Sequence, residues 1–77
     1  MTIFEFISKF IDIQVKIIHQ AKGKPAELVF DGFSTNFMEV FTSNHRVSRS
    51  RYFNAYINEK KLVIVFEYNR EVRDYDN

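Results

Sequence analysis

The chain has 77 residues, eleven Lys and Arg against ten Asp and Glu, and no cysteine. The lack of cysteine excludes disulfides and thiolate metal sites, and a net charge of +1 gives no single-sign field typical of nucleic-acid or anionic-membrane binding. Nine Phe and four Tyr supply the bulk of a hydrophobic core. We expect one small, soluble, cytoplasmic domain over residues 1–68. Its longest wholly apolar run, Leu62 to Phe66, cannot span a membrane, and no basic region precedes an apolar one at the N-terminus.

The N-terminal segment carries a helix start signal. Thr2 and Glu5 have the spacing of a capping box, in which each side chain binds the backbone N–H of the other residue. The apolar positions after Thr2 repeat with helical spacing, which predicts a helix over residues 3–11 with one face toward the core. The residues on that face are Ile3, Phe4, Phe6, Ile7, Phe10 and Ile11.

A β-hairpin is predicted next. From Ile13 to Ile18 the apolar residues recur at every second position, which is typical of a half-buried strand. Residues 21–25 contain a Gly and a Pro suited to a turn, and a second strand follows over residues 27–31. The register that keeps the apolar residues on one face pairs Val15 with Phe30 and Ile17 with Leu28.

A second helix is predicted after this hairpin. Ser34 is a suitable N-cap, Phe33 can staple onto Met38, and Asn44 is a natural terminator. The residues of this helix expected to face the core are Phe37, Val40 and Phe41. His45 to Ser50 is expected to be a polar loop.

The final hairpin has the clearest alternation. Residues 51–58 and 61–68 alternate about a Glu59-Lys60 tip, and residues 69–77 form a charged, frayed tail. The register sets Phe53 opposite Phe66, Ala55 opposite Ile64, and Ile57 opposite Leu62. The predicted fold is α+β in the order α-β-β-α-β-β, with an antiparallel four-stranded sheet made of two hairpins and two short helices.

The residues that could support catalysis or metal binding form no pattern. His19 and His45 are 26 positions apart, and neither lies in a metal-binding motif. No serine lies in a nucleophile-elbow context, and the two glycines are too few for a phosphate-binding loop. We therefore expect no catalytic residue, metal or cofactor, and a protein that is not an enzyme.

The side of the sheet opposite the core is the more informative surface. The predicted registers place six apolar or tyrosine side chains there, namely Ile18, Val29, Tyr52, Tyr56, Val63 and Val65. If both helices pack on the other side, this surface is exposed and typical of a protein interface or a homodimer contact. The alternative is that one helix covers it.

A basic segment precedes the final hairpin. Arg46, Arg49 and Arg51 lead into Tyr52, a combination of cations and an aromatic ring found in single-strand binders. These arginines would form either the rim of a protein interface or a small nucleic-acid-binding module.

Most of the chain resembles the small accessory proteins of phages and prophages of low-GC bacteria. The resemblance is carried by a capped helix over Thr2 to Ile11, by IxVKII ending at Ile18, by ELVFDG at Glu27 to Gly32, and by KLVIVFEY at Lys61 to Tyr68. It implies a protein that acts by stoichiometric binding, for example as an inhibitor of a host enzyme or an anti-defence protein. It implies no site residue.

Overall fold

The computed structural model describes residues 1–67 and has an α+β architecture. The elements in chain order are α1 (Ile3–Ser8), β1 (Gln14–His19), β2 (Glu27–Phe33), α2 (Ser34–Val40), β3 (Phe53–Asn58) and β4 (Lys61–Phe66). The predicted order α-β-β-α-β-β is confirmed. The predicted tail over residues 69–77 lies outside the described residues.

The sheet is mixed, so the expectation of a fully antiparallel sheet was wrong. Its strand order is β2-β1-β4-β3, and the central strands β1 and β4 run parallel. Each hairpin is antiparallel within itself. The two inner strands carry the most apolar sequences, VKII and LVIVF, and central positions bury such strands between neighbours. The hairpins therefore join through their most hydrophobic strands.

The first hairpin forms with a different register from the predicted one. Val15 pairs with Gly32 and Ile17 pairs with Phe30, and the register shifts between Ile17 and Ile18. The pairing skips Val29, which marks a β-bulge on β2. The alternation of apolar residues was compatible with both registers, and the longer strand β2 together with the bulge decides between them.

The final hairpin has the predicted register, with Phe53 opposite Phe66, Ala55 opposite Ile64, and Ile57 opposite Leu62. Its tip residues Glu59 and Lys60 have φ of 53° and 66°. Positive φ at both central residues defines a type I′ turn, whose twist matches that of the flanking strands.

Both helices pack on the same side of the sheet, which we call the first face. Ile3 and Ile7 of α1 and Phe37 of α2 are fully buried in one cluster with sheet residues. The sheet residues of that cluster are Val15, Ile17, Leu62, Ile64 and Phe66. The opposite side is called the second face. Among residues 1–67 no helix has the length and apolarity needed to cross a membrane.

Helix α1 is shorter than predicted. Its capping box is present, with the Thr2 N–H donating to Glu5 Oε1 at 2.8 Å and the Glu5 N–H donating to Thr2 Oγ1 at 3.1 Å. The helix nevertheless ends at Ser8, and Asp12 adopts φ of 33° where the chain reverses toward β1. Ile11, predicted to face the core, is therefore 93% exposed.

Helix α2 differs from the prediction at both ends. Its N-cap is Phe33, whereas Ser34 lies inside the helix and is 1% exposed. The Ser34 N–H donates to the Ile13 carbonyl at 2.8 Å, and Ser34 Oγ accepts from the Ile13 N–H at 3.1 Å. Ser34 thus joins α2 to the chain entering β1 instead of capping the helix. The helix ends at Val40. The sequence predicted that Val40 faces the core, but its side chain is 67% exposed.

The connection between α2 and β3 is packed into the fold. Val47, Ser48 and Ser50 are buried, although the sequence predicted a polar loop here. The carbonyls of Ser50 and Ser48 accept hydrogen bonds from the first-turn amides of Ile3 and Phe4, at 2.9 and 3.1 Å. The loop therefore satisfies donors at the start of α1 that have no partner within the helix.

Candidate protein-binding face

The second face consists of side chains that alternate with the core residues along each strand. Paired residues in neighbouring strands share a face, so the registers arrange these side chains in rows across the sheet. One row across the sheet consists of Asp31, Lys16, Val63 and Tyr56. The next row is Leu28, Ile18, Val65 and Asn54. The row that contains Leu28 is therefore apolar except for Asn54, and the row that contains Tyr56 is mixed.

Four of the predicted second-face residues lie on that side of the sheet, namely Ile18, Tyr56, Val63 and Val65. Tyr56 is 51% exposed, Ile18 and Val65 are half-buried, and these three side chains do not pack against the core cluster. Val63 lies between them but is only 4% exposed. It therefore offers little surface of its own.

Val29 and Leu28 each lie on the opposite face of the sheet from the one that the sequence predicted. Val29, expected on the second face, packs against the core cluster because the bulge in β2 changes the alternation at this point. Leu28 pairs with Ile18 on the second face and is 57% exposed. Sequence reasoning missed Leu28, since no signal in the alternation marks the bulge.

One end of the second face is charged. Lys61 Nζ donates to Asp31 Oδ1 at 3.0 Å, and Lys16 lies between their strands. A shallow cleft of about 170 Å³ lies beside them, lined by Lys16, Tyr56, Asn58, Glu59, Lys61 and Val63. Tyr56 therefore forms a wall between a charged cleft and the apolar row.

A larger open cleft of about 450 Å³ lies at the opposite end of β3 and β4. Its lining includes Arg51, Tyr52, Asn54 and Val65. Tyr52 is 41% exposed there. The structure therefore brings Arg51 and Tyr52 together in one cleft. Arg46 and Arg49 are exposed in the preceding loop and do not line this cleft.

Arg51 also influences the start of α1. The hydrogen bonds from the Thr2 backbone and side chain are the main cause that lowers the pKa of the Glu5 carboxyl from 4.5, and the positive charges of the N-terminus and Arg51 lower it further.

The two histidines have structural contacts. The His45 ring lies against Phe41 with centroids 4.7 Å apart, and its Nδ1 accepts from the Val47 N–H at 3.1 Å. The His19 ring lies against Phe66 at 5.4 Å. Over residues 1–67 there is no group of three or more His, Asp or Glu side chains that could hold a metal ion.

Comparisons with known proteins gave no match to a family model, to a curated protein or to a solved structure. The geometry of the second face is therefore the basis for the functional proposal.

Proposed function

We propose that this chain is a small non-catalytic binding protein that acts by stoichiometric contact with another protein. The observation that carries the proposal is the second face, on which neither helix packs and on which Leu28, Ile18 and Val65 form an apolar row beside the exposed Tyr56. Apolar rows rimmed by polar groups are typical of partner interfaces.

Tyr56 is the expected anchor of the contact. Its ring is half exposed, and a tyrosine has only two side-chain torsions, so little side-chain entropy is lost when a partner covers it. Tyrosine is enriched among interface residues whose truncation costs 2 kcal/mol or more, which corresponds to about a 30-fold loss of affinity. The Lys61–Asp31 pair at the charged end would fix the orientation of the partner more than its affinity.

The resemblance to phage accessory proteins supports a narrower form of this proposal, in which the partner is a host enzyme or a defence protein and binding inhibits it. Such an inhibitor needs only surface complementarity, which a chain of this size can provide. It would act in the cytoplasm of a bacterial host.

The experiment is affinity capture from a bacterial lysate with three forms of the full chain, followed by mass spectrometry. Wild type and Val40→Asp should capture the same protein, because Val40 is 67% exposed on α2, on the other side of the sheet. Tyr56→Asp should lose it by at least about 30-fold. Equal capture by the two variants would exclude the second face as the binding surface.

Nucleic-acid binding is the second candidate, favoured by one observation, the presence of Arg51 and Tyr52 in the same open cleft. Three phosphate contacts by Arg46, Arg49 and Arg51 would give a slope of about −2 to −3 for log affinity against log salt. Failure to bind single-stranded and double-stranded oligonucleotides at low salt would exclude this candidate and leave the protein-binding proposal untouched.

A further inference from the structure

The two outer strands of the sheet differ in how they are protected against pairing with another strand. Strand β2 contains Glu27 and Asp31 and is interrupted by a bulge, two features that discourage edge-to-edge pairing. Strand β3 has the sequence FNAYIN, with no charge and no proline, and its register with β4 is unbroken. Within residues 1–67, β4 is the only strand that pairs with β3.

Considering only residues 1–67, the outer edge of β3 presents unpaired backbone groups beside exposed apolar side chains. Asn58 and Lys61 flank the two-residue turn and form a hydrogen-bonded pair. Hydrogen-bonded and non-hydrogen-bonded pairs with β4 therefore alternate from Asn58 along β3. The alternation turns the N–H and C=O groups of Ala55 and Ile57 toward the outer edge. Ile57 is 64% exposed on the first face, where α1 does not reach it.

We propose that β3 pairs antiparallel with β3 of a second copy of this chain, on a twofold axis that passes through Tyr56 perpendicular to the sheet. The sequence Asn54-Ala55-Tyr56-Ile57-Asn58 is close to palindromic about Tyr56. In this register Asn54 faces Asn58 of the second copy, and Tyr56 faces its own equivalent.

The side-chain pairs of this register are complementary. Ala55 faces Ile57 of the second copy on the first face, so a small side chain lies opposite a large one at both symmetry-related positions. The two Asn pairs can exchange amide hydrogen bonds. No charged residue of β3 faces another, because the strand has none.

Assembly by this contact ends at two copies. Pairing consumes both β3 edges, and the outer edges of the resulting eight-stranded sheet are the bulged, acidic β2 strands. The contact uses the backbone edge of β3 and brings the two Tyr56 side chains together at the axis, so Tyr56→Asp would affect both dimerisation and partner binding. The Leu28 end of the second face stays free, and a change there separates the proposed partner binding from the dimer.

The mass of the full chain in solution is the first measurement. Sedimentation equilibrium should show twice the 9.2 kDa chain mass, reversibly with dilution. Ile57→Lys, or Ala55→Lys as a second variant, should weaken the dimer at least about tenfold, because a lysine on the edge opposes pairing. The matched control is Ile11→Lys, since Ile11 is exposed, apolar and outside the sheet. A wild-type monomer up to about 1 mM would overturn the proposal.

The register can be tested by crosslinking, since the chain has no cysteine of its own. Residues opposite each other in a non-hydrogen-bonded pair lie about 4.5 Å apart at Cα, within the range of a disulfide. Tyr56→Cys should therefore oxidise to a covalent dimer much faster than Ile11→Cys. The β3 contact would be overturned if the two cysteine variants oxidised to the covalent dimer at equal rates. It would also be overturned if adding Ile57→Lys to Tyr56→Cys left the oxidation rate unchanged. Leu28→Lys should leave the dimer intact even if it abolishes partner binding.

Discussion

Three buried serines allow the hydrogen-bonding account of this fold to be tested with the same chemical change. Ser34 Oγ accepts the Ile13 N–H at 3.1 Å, whereas Ser50 Oγ is buried and has no hydrogen-bond partner in the described part of the chain. Ser48 Oγ donates to the Phe41 carbonyl at 2.9 Å. Replacement by Ala therefore removes a hydrogen bond at two positions and only an unbonded hydroxyl at the third.

Ser34→Ala should lower the free energy of unfolding by about 1 to 2 kcal/mol, since it leaves the partly buried Ile13 N–H without an acceptor. The better helix propensity of Ala offsets up to about 0.5 kcal/mol of this. Ser48→Ala should cost about 1 kcal/mol. Ser50→Ala should change the stability by less than about 0.5 kcal/mol or raise it, because burying an unpaired hydroxyl is unfavourable.

Urea unfolding followed by circular dichroism measures these differences. The Ser34→Ala midpoint should fall with an unchanged slope, and its thermal midpoint should fall by about 4 to 8 °C for each kcal/mol lost. If Ser34→Ala and Ser50→Ala had equal effects, the account of Ser34 as the junction between α2 and β1 would be refuted.

Three further predictions concern the helices and the β3–β4 turn. The pKa of the Glu5 carboxyl is lowered from 4.5 in the folded state, so the ionised carboxylate stabilises the fold at pH values above 4.5. Melting curves over a pH series should show wild type more stable than Glu5→Gln at neutral pH, and this difference in stability should disappear as the pH falls through the lowered pKa. Replacing Glu59-Lys60 by Asn-Gly should raise the unfolding free energy by about 1 to 2 kcal/mol, since both residues have positive φ; a decrease in urea titration would contradict the turn assignment. Phe37→Ala should cost about 3 to 5 kcal/mol, because Phe37 is fully buried and its ring lies 4.9 Å from Phe41; a cost below 1 kcal/mol would contradict its place in the core.

The sequence predicts local structure well where a pattern and a turn agree. The capping box at Thr2 and the register of the final hairpin are both as expected, because each depends on neighbouring residues alone. The order of the strands could not be predicted in this way. Pairing of β1 with β4 joins residues about 47 positions apart, such as Val15 and Leu62, and no local signal specifies it.

The errors on the candidate site have the same origin. Leu28 reaches the second face and Val29 the core because a bulge shifts the register of β2, and bulges have no reliable mark in an alternating sequence. Ile11 is exposed because α1 ends sooner than its apolar spacing suggested. Val40 is the last residue of α2 and lies off the face of that helix that buries Phe37. In each case the tertiary path of the chain overrides the local periodicity.

The central claim is that the second face binds a protein partner, and the affinity of the captured partner for two lysine variants tests it most directly. Leu28 and Val40 are both exposed aliphatic residues, 57% and 67%, on opposite sides of the sheet. Isothermal titration should show Leu28→Lys weaker than wild type by at least about tenfold and Val40→Lys within about twofold. Equal affinities for the two variants would contradict the claim.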